Sequence, residues 1–200
     1  MCCQVYIVSM EKMAEKFRNF PEAEKADRDF YKNLTGNERL QIQLESLNHD
    51  PAEKLEGELL ELLNSRGVDY VIVGTHSLAF HGRPRSSGDL DILIRPTETN
   101  ARRVVDLLNQ FGFGQSGFKE ADFLEPEQII QLGCPPNRID LFTSISGVPA
   151  DEAFATKVSA TLYGIPVPVL GKDALIRNER AVARPQDLAD IDSFGGVSFS

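Results

Sequence analysis

Asp89 and Asp91, in the run Gly88-Asp-Leu-Asp-Ile-Leu-Ile94, set two carboxylates at period-two spacing among apolar residues. In a strand alternate residues share a face, so both acids project to one side while Leu90, Ile92 and Ile94 project to the other. An ionised acid in such a setting is costly unless a cation or hydrogen-bond donors compensate it. Two carboxylates held roughly 6.5–7 Å apart along a strand can converge on a hard cation such as Mg²⁺. The tripeptide alone decides little, because Asp27-Arg-Asp29 and Asp190-Ile-Asp192 repeat it in segments of helical character, where solvated acids are routine. What sets Asp89 and Asp91 apart is the strand context and, upstream, Val71-Ile-Val-Gly74-Thr75, an apolar run that ends in a glycine turn. Asp140, in Arg138-Ile-Asp-Leu-Phe142, is a third acid of this kind, since Ile139 and Leu141 share a core face and force it onto the other. Two readings of it stand. It completes a three-carboxylate site if its strand neighbours that of Asp89, or it is an edge-strand acid paired with Arg138 or another base.

The elements that must position these acids begin at Gly67. Apolar periodicity predicts strands over 69–73, 89–94, 128–132 and 138–143, and a hairpin of 158–162 with 165–169 across Tyr163-Gly164. Helices are expected over 75–81, 97–110, 150–157, 172–183 and 185–194. His81-Gly82 reads as the stop of the short helix. The preceding residues are charged and strand-poor. They read as two or three helices, one opening near Thr35-Gly-Asn-Glu38 and another running from Ala52 to Arg66 with Leu55, Leu59, Leu62 and Leu63 on one stripe. The expected architecture is α+β, an α/β-like palm: a mixed β-sheet with helices packed on it in residues 66–200, after an N-terminal helical segment in residues 1–65.

Composition bounds the function classes. With 200 residues, 42% hydrophobic and 26% charged, the chain has the makings of a globular core. A formal charge of −9 disfavours long nucleic acid as a partner. Three cysteines without a paired CxxC pattern suggest a reduced, cytoplasmic compartment. The first ten residues lack the basic start of a secretory signal, and no apolar run approaches the ~20 residues that span a bilayer. His76 and His81 lie five apart, off the i,i+4 register of a helical zinc pair.

The run from Val73 to Ile94 resembles the signature of the DNA polymerase beta-type nucleotidyltransferases: a strand, a glycine turn, a spacer, then Asp-apolar-Asp-apolar. Together with His81-Gly82, Pro84-Arg85, Asn137-Arg-Ile-Asp140-Leu, Asp173-Ala-Leu-Ile-Arg-Asn178 and Arg184-Pro-Gln-Asp187-Leu-Ala-Asp190, it looks like the small bacterial and archaeal nucleotidyltransferase-like proteins related to abortive-infection toxins. The resemblance implies the nucleotidyltransferase fold and transfer of a nucleoside monophosphate from NTP to a hydroxyl acceptor, in a toxin–antitoxin or abortive-infection setting. It implies that Gly74 and Thr75 open a helix whose amides hold the triphosphate, and that Asp89, Asp91 and Asp140 are catalytic and bind two Mg²⁺ ions. Arg85 and Lys172 are candidate nucleotide contacts because cationic side chains suit phosphate oxygens, and Ser87, in the turn before Asp89, is a candidate there that either orients Asp89 or forms the turn. A homodimer or a toxin–antitoxin partner is the implied assembly, with no membrane partner.

Thr75 stands where relatives have Gly or Ser, Glu179 where Lys is common, and Ala183 where Gly precedes Arg-Pro. These departures motivate a second reading, a non-catalytic nucleotide-binding or regulatory module of antitoxin type. Metal-dependent phosphoester hydrolysis on the same acids is a third.

Overall fold

A computed structural model describes residues 32–47, 50–82, 89–134 and 137–182. Their elements, in chain order, are α1 (Gly36–Leu47), α2 (Asp50–Ser65), β1 (Tyr70–Ile72), α3 (Gly74–His81), β2 (Asp89–Ile94), α4 (Glu98–Leu108), β3 (Ile129–Cys134), β4 (Asn137–Phe142), α5 (Ala150–Ala155), β5 (Val158–Leu162), β6 (Ile165–Val169) and α6 (Lys172–Val182). The six strands form one mixed sheet in the order β3-β4-β2-β1-β6-β5. Pairs β1–β6 and β2–β4 are parallel, and β1–β2, β3–β4 and β5–β6 are antiparallel. The α+β architecture expected from the sequence is therefore observed. The expected helices before Lys32 and over 185–194 lie outside the described residues.

Period-two alternation divides the sheet between two apolar layers. Tyr70, Ile72, Leu90, Ile92, Ile94, Ile139 and Leu141 join Val167 and Val169 in a core that also takes Leu40 of α1, Leu59, Leu60 and Leu63 of α2, and Val104, Leu107 and Leu108 of α4. On the other face Val71, Leu93 and Phe142 pack with Leu78 of α3, Phe154 of α5 and Leu175 of α6. Strand β1 is buried on both faces, as a central strand flanked by helix layers should be. Helices α1 and α2 thus share a core with the sheet.

Local chemistry sets the boundaries. Thr35 and Glu38 form a reciprocal capping box at the start of α1: the Glu38 Oε2 accepts from Thr35 N–H at 2.7 Å and the Thr35 Oγ1 from Glu38 N–H at 3.3 Å. The Arg39 guanidinium donates to the carbonyls of Phe80 (2.7 Å) and Leu34 (2.6 Å), tying α1 to the end of α3. Buried Asn100 accepts from Asp69 N–H at 2.7 Å and donates to the carbonyls of Asp69 and Arg95, both at 2.9 Å, which joins the entry of β1 to the exit of β2. The hairpin turn holds Tyr163 and Gly164 at φ +53° and +76°, the positive-φ pair that matches the twist of a two-residue connection.

Residues 109–123 depart from expectation. The helix predicted to reach Gln110 ends at Leu108, and a π-turn over Asn109–Phe113 and two short 3₁₀ turns follow, broken at Gly112 by a φ of +107°. Phe123 is fully buried there, and Phe111, Phe113 and Phe118 pack against the core. No helix among the described residues is long and apolar enough to cross a membrane.

Tyr163 also reaches across to α2, where its hydroxyl donates to the buried Glu56 carboxylate. Burial pushes the Glu56 carboxyl up from 4.5 to about 7, with Tyr163 opposing the rise and the charge of Asp89 adding to it. A raised carboxyl favours the folded state fully below its unfolded pKa of 4.5, and that contribution is lost as pH rises through about 7. Glu56→Gln, which keeps an acceptor for Tyr163, is expected to raise stability at pH 8 by up to about 3 kcal/mol and to change it little at pH 4. Urea unfolding at both pH values measures the difference; an equal effect at the two would contradict the assignment.

Candidate active site

Asp89, Asp91, Arg138 and Asp140 share one sheet face because β2 and β4 pair in parallel with Asp89 opposite Arg138 and Asp91 opposite Asp140. Further along the same face the register continues to Leu93, buried, opposite Phe142, which is half-buried and lines the cleft; both are apolar. The face therefore changes character along its length, with charged residues in the first half of each strand and core in the second. The conditional in the sequence reading, that the strand of Asp140 neighbours that of Asp89, is met. The alternative is half met: Asp140 is paired with Arg138, but β4 lies between β3 and β2 and is not an edge strand.

The pairing is specific. Arg138 Nε donates to Asp140 Oδ1 at 2.7 Å and Nη2 to Asp140 Oδ2 at 2.9 Å, a fork matched to both oxygens of one carboxylate. The same Nη2 donates to Asp89 Oδ2 at 2.9 Å. Asp140 is nearly buried, its side chain 7% exposed, against 25% for Arg138 and 32% for Asp89. The hydrogen bond that it donates to Asp140, ahead of the surrounding carboxylate charges, holds the guanidinium of Arg138 above its ordinary pKa.

Gly74 closes the other side. It begins α3 at φ +58°, and a Cβ there would sit 2.8 Å from Asp91 Cγ and closer still to Oδ2. Only glycine leaves that carboxylate its place against the turn. Val73 N–H donates to the Asp91 carbonyl at 3.0 Å, fixing the strand end beside it. Thr75 follows, nearly buried. These residues open on a cleft of about 720 Å³, lined also by Glu127, Gln128 and Ile129 before and within β3, by Ser144–Ser146, and by Asn178 and Glu179 of α6. Among the described residues, five carboxylates (Asp89, Asp91, Glu127, Asp140, Glu179) and one guanidinium line it.

The walls are anchored independently of the acids. Asn178 Nδ2 donates to the Ser146 carbonyl at 2.9 Å, joining α6 to the loop after β4. Ser144 Oγ accepts from Glu127 N–H at 2.9 Å and Thr143 Oγ1 from Gln128 N–H at 3.0 Å, which holds the start of β3 to that loop. Helix α3 is held from behind, where His81 Nε2 lies 2.7 Å from the Leu170 carbonyl and Ser77 Oγ donates to the same oxygen at 3.3 Å.

Of the residues expected from the sequence, Gly74, Thr75, Asp89, Asp91 and Asp140 come together. Lys172 does not line the cleft: it is exposed at the start of α6, where its charge bears on His81. Arg85 and Ser87 lie outside the described residues. Arg177 is exposed and pairs with Glu152. The residues not anticipated as lining are Glu127–Ile129 and Ser144–Ser146, whose sequences carry turn chemistry and no catalytic pattern.

For a divalent cation the donor chemistry is apt: six carboxylate oxygens from neighbouring strands, with glycine clearance kept beside Asp91. As the side chains stand, no group of three or more His, Cys, Asp or Glu among the described residues is arranged to hold a metal ion. The Arg138 guanidinium stands between Asp89 and Asp140 instead.

No protein-family model matches the sequence. A search of curated proteins finds no match either. Among solved structures the chain is similar to an antigenic nucleotidyltransferase-like protein from Paracoccidioides brasiliensis, at 18% identity and a TM-score of 0.46 over 74% of this chain and 77% of that one.

Two consequences are measurable. Gly74→Ala forces a side chain into the left-handed region and against Asp91, and is expected to cost on the order of 2 kcal/mol or more of unfolding free energy. Denaturant titration checks it, and a change within about 0.5 kcal/mol, typical of a neutral surface position, would remove the steric argument. His76, in the first turn of α3, is buried with neither ring nitrogen partnered among the described residues. Desolvation lowers its pKa from 6.5 to about 4, so the neutral ring's stability is complete above pH 6.5 and is lost as pH falls through about 4. His76→Leu is expected to flatten the loss of stability between these limits by up to about 3 kcal/mol, read from melting temperatures across the range.

Proposed function

We propose that the cleft binds a nucleoside triphosphate together with Mg²⁺ and transfers its nucleoside monophosphate to a hydroxyl acceptor. The observation that carries this reading is the convergence of Asp89, Asp91 and Asp140, from adjacent parallel strands, on a glycine turn that opens a helix. Asp89 and Asp91 would hold both cations and Asp140 one of them. So bound, the two ions would acidify the attacking hydroxyl and offset charge on the departing pyrophosphate. The chain supplies the rest. The first amides of α3 face the phosphates, aided by the polarity of a helix N-terminus, and Gly74 permits close backbone approach. The Thr75 hydroxyl lines the cleft as a donor to a phosphate oxygen. Asp140, once released by Arg138, would take the proton of the acceptor hydroxyl. The resemblance of the motifs suggests a toxin–antitoxin or abortive-infection setting in the cytoplasm.

Glu179 favours a second reading. It lines the cleft, nearly buried, where relatives in the resembled family commonly carry a cation, and a carboxylate there weakens the hold on a triphosphate. On that reading the protein binds nucleotide without transferring it.

Calorimetry with Mg²⁺ and each NTP, repeated on Asp91→Asn, tests binding. The variant is expected to lose about 100-fold or more in metal-dependent affinity, since even outer-shell changes cost 10–100-fold. Unchanged binding would overturn the site. Transfer of label from α-labelled NTP into cell RNA or protein separates the readings, because a binding module leaves no labelled product.

A further inference from the structure

We propose that Arg138 is a built-in counter-cation of the carboxylate cluster: it holds Asp89 and Asp140 together when no divalent cation is bound and yields them when one binds. The proposal rests on the divalent-cation reading of the cluster.

The geometry carries it in three steps. First, the fork engages both oxygens of Asp140 and one of Asp89, at 2.7 to 2.9 Å. A divalent cation bridging those same carboxylates would be set against a guanidinium within a few ångströms, a repulsion the half-exposed cleft screens only in part. Guanidinium and cation therefore compete for the same oxygens. Second, the competition is unequal in mobility. Asp140 is fixed in a strand and nearly buried, whereas Arg138 reaches the cluster on a long stem with a quarter of its side chain exposed to the cleft. The arginine is the partner able to leave. Third, among the described residues one guanidinium stands against three carboxylates, and this excess of negative charge attracts a doubly charged ion and provides the drive for exchange.

Arg138 is a positioning residue on this view, and its substitution has a signature that a plain structural strut lacks. Removing a strut lowers stability and leaves metal affinity unchanged or weaker. Removing a competing cation lowers stability without metal and tightens the metal.

The experiment titrates Mn²⁺, a spectroscopic stand-in for Mg²⁺, into the full chain as wild type, Arg138→Gln, Arg138→Lys and Asp91→Asn, with free Mn²⁺ read by electron paramagnetic resonance. Arg138→Gln is expected to bind about tenfold more tightly than wild type, the scale of removing one nearby charge. Arg138→Lys, which keeps the charge but loses the fork, is expected to gain only about two- to threefold, and it serves if the glutamine variant folds poorly. Thermal unfolding is expected to show Arg138→Gln below wild type without Mn²⁺ and the gap narrowing at saturating Mn²⁺. Equal or weaker Mn²⁺ binding by both Arg138 variants, with binding still lost in Asp91→Asn, would overturn the counter-cation and leave the metal reading standing. Absence of Mn²⁺ binding in wild type and both Arg138 variants would overturn the two together.

Discussion

The parallel pairing of β2 with β4, Asp91 opposite Asp140, is the constraint on which the rest of the site depends. Strand side chains alternate with period two, so a slip of one residue in β4 against β2 would carry Arg138 and Asp140 to the apolar core face and bring Ile139 and Leu141 out. The cost of burying those charges pins the register more firmly than backbone hydrogen bonds alone. The same register lets a guanidinium on one strand reach carboxylates on both. Fold and site are thus specified by one set of residues.

Legibility in the sequence followed punctuation. The hairpin of β5 and β6 was readable to the residue because Tyr163-Gly164 interrupts two alternating runs, and β2 because Arg95-Pro96 stops it. Residues 109–123 were not, since Phe111, Phe113, Phe118 and Phe123 bury without a helical or strand period. That Asp140 turns away from Ile139 and Leu141 follows from local alternation. That Arg138 also holds Asp89 does not, because the two are 49 positions apart and only the parallel pairing joins them. Lys172 illustrates the opposite case: motif resemblance sets it near phosphate, but the start of α6 lies by His81, beyond the cleft wall that Asn178 and Glu179 form two turns later.

The site is assembled at the expense of local stability, and the surrounding contacts offset that expense. Gly74 takes a left-handed conformation, His76 is buried without partners among the described residues, and Glu56 is buried as a carboxyl. Gly74 takes a conformation that glycine alone adopts at little cost, His76 and Glu56 give up water, and each is held by the packing around it: Asp91 against Gly74, the Leu170 carbonyl behind α3, Tyr163 over Glu56. Arrangements of this kind are sustained where the neighbouring packing over-determines the conformation. Two of them fall in α3, the element that brings its amides to the cleft.

The charge of the cleft constrains any account of its use. Among the described residues five carboxylates and one guanidinium line the cleft, a net negative charge that repels a free triphosphate. On the proposed function, the nucleotide therefore enters with a cation or after one, and a divalent ion serves the cleft electrostatically before it serves the chemistry. On the proposed exchange, Arg138 would add to the effect, because a guanidinium released from Asp140 would remain a positive charge no longer cancelled by its carboxylate. On that reading, exchange of one cation for another would turn a surface that repels phosphate into one that accepts it.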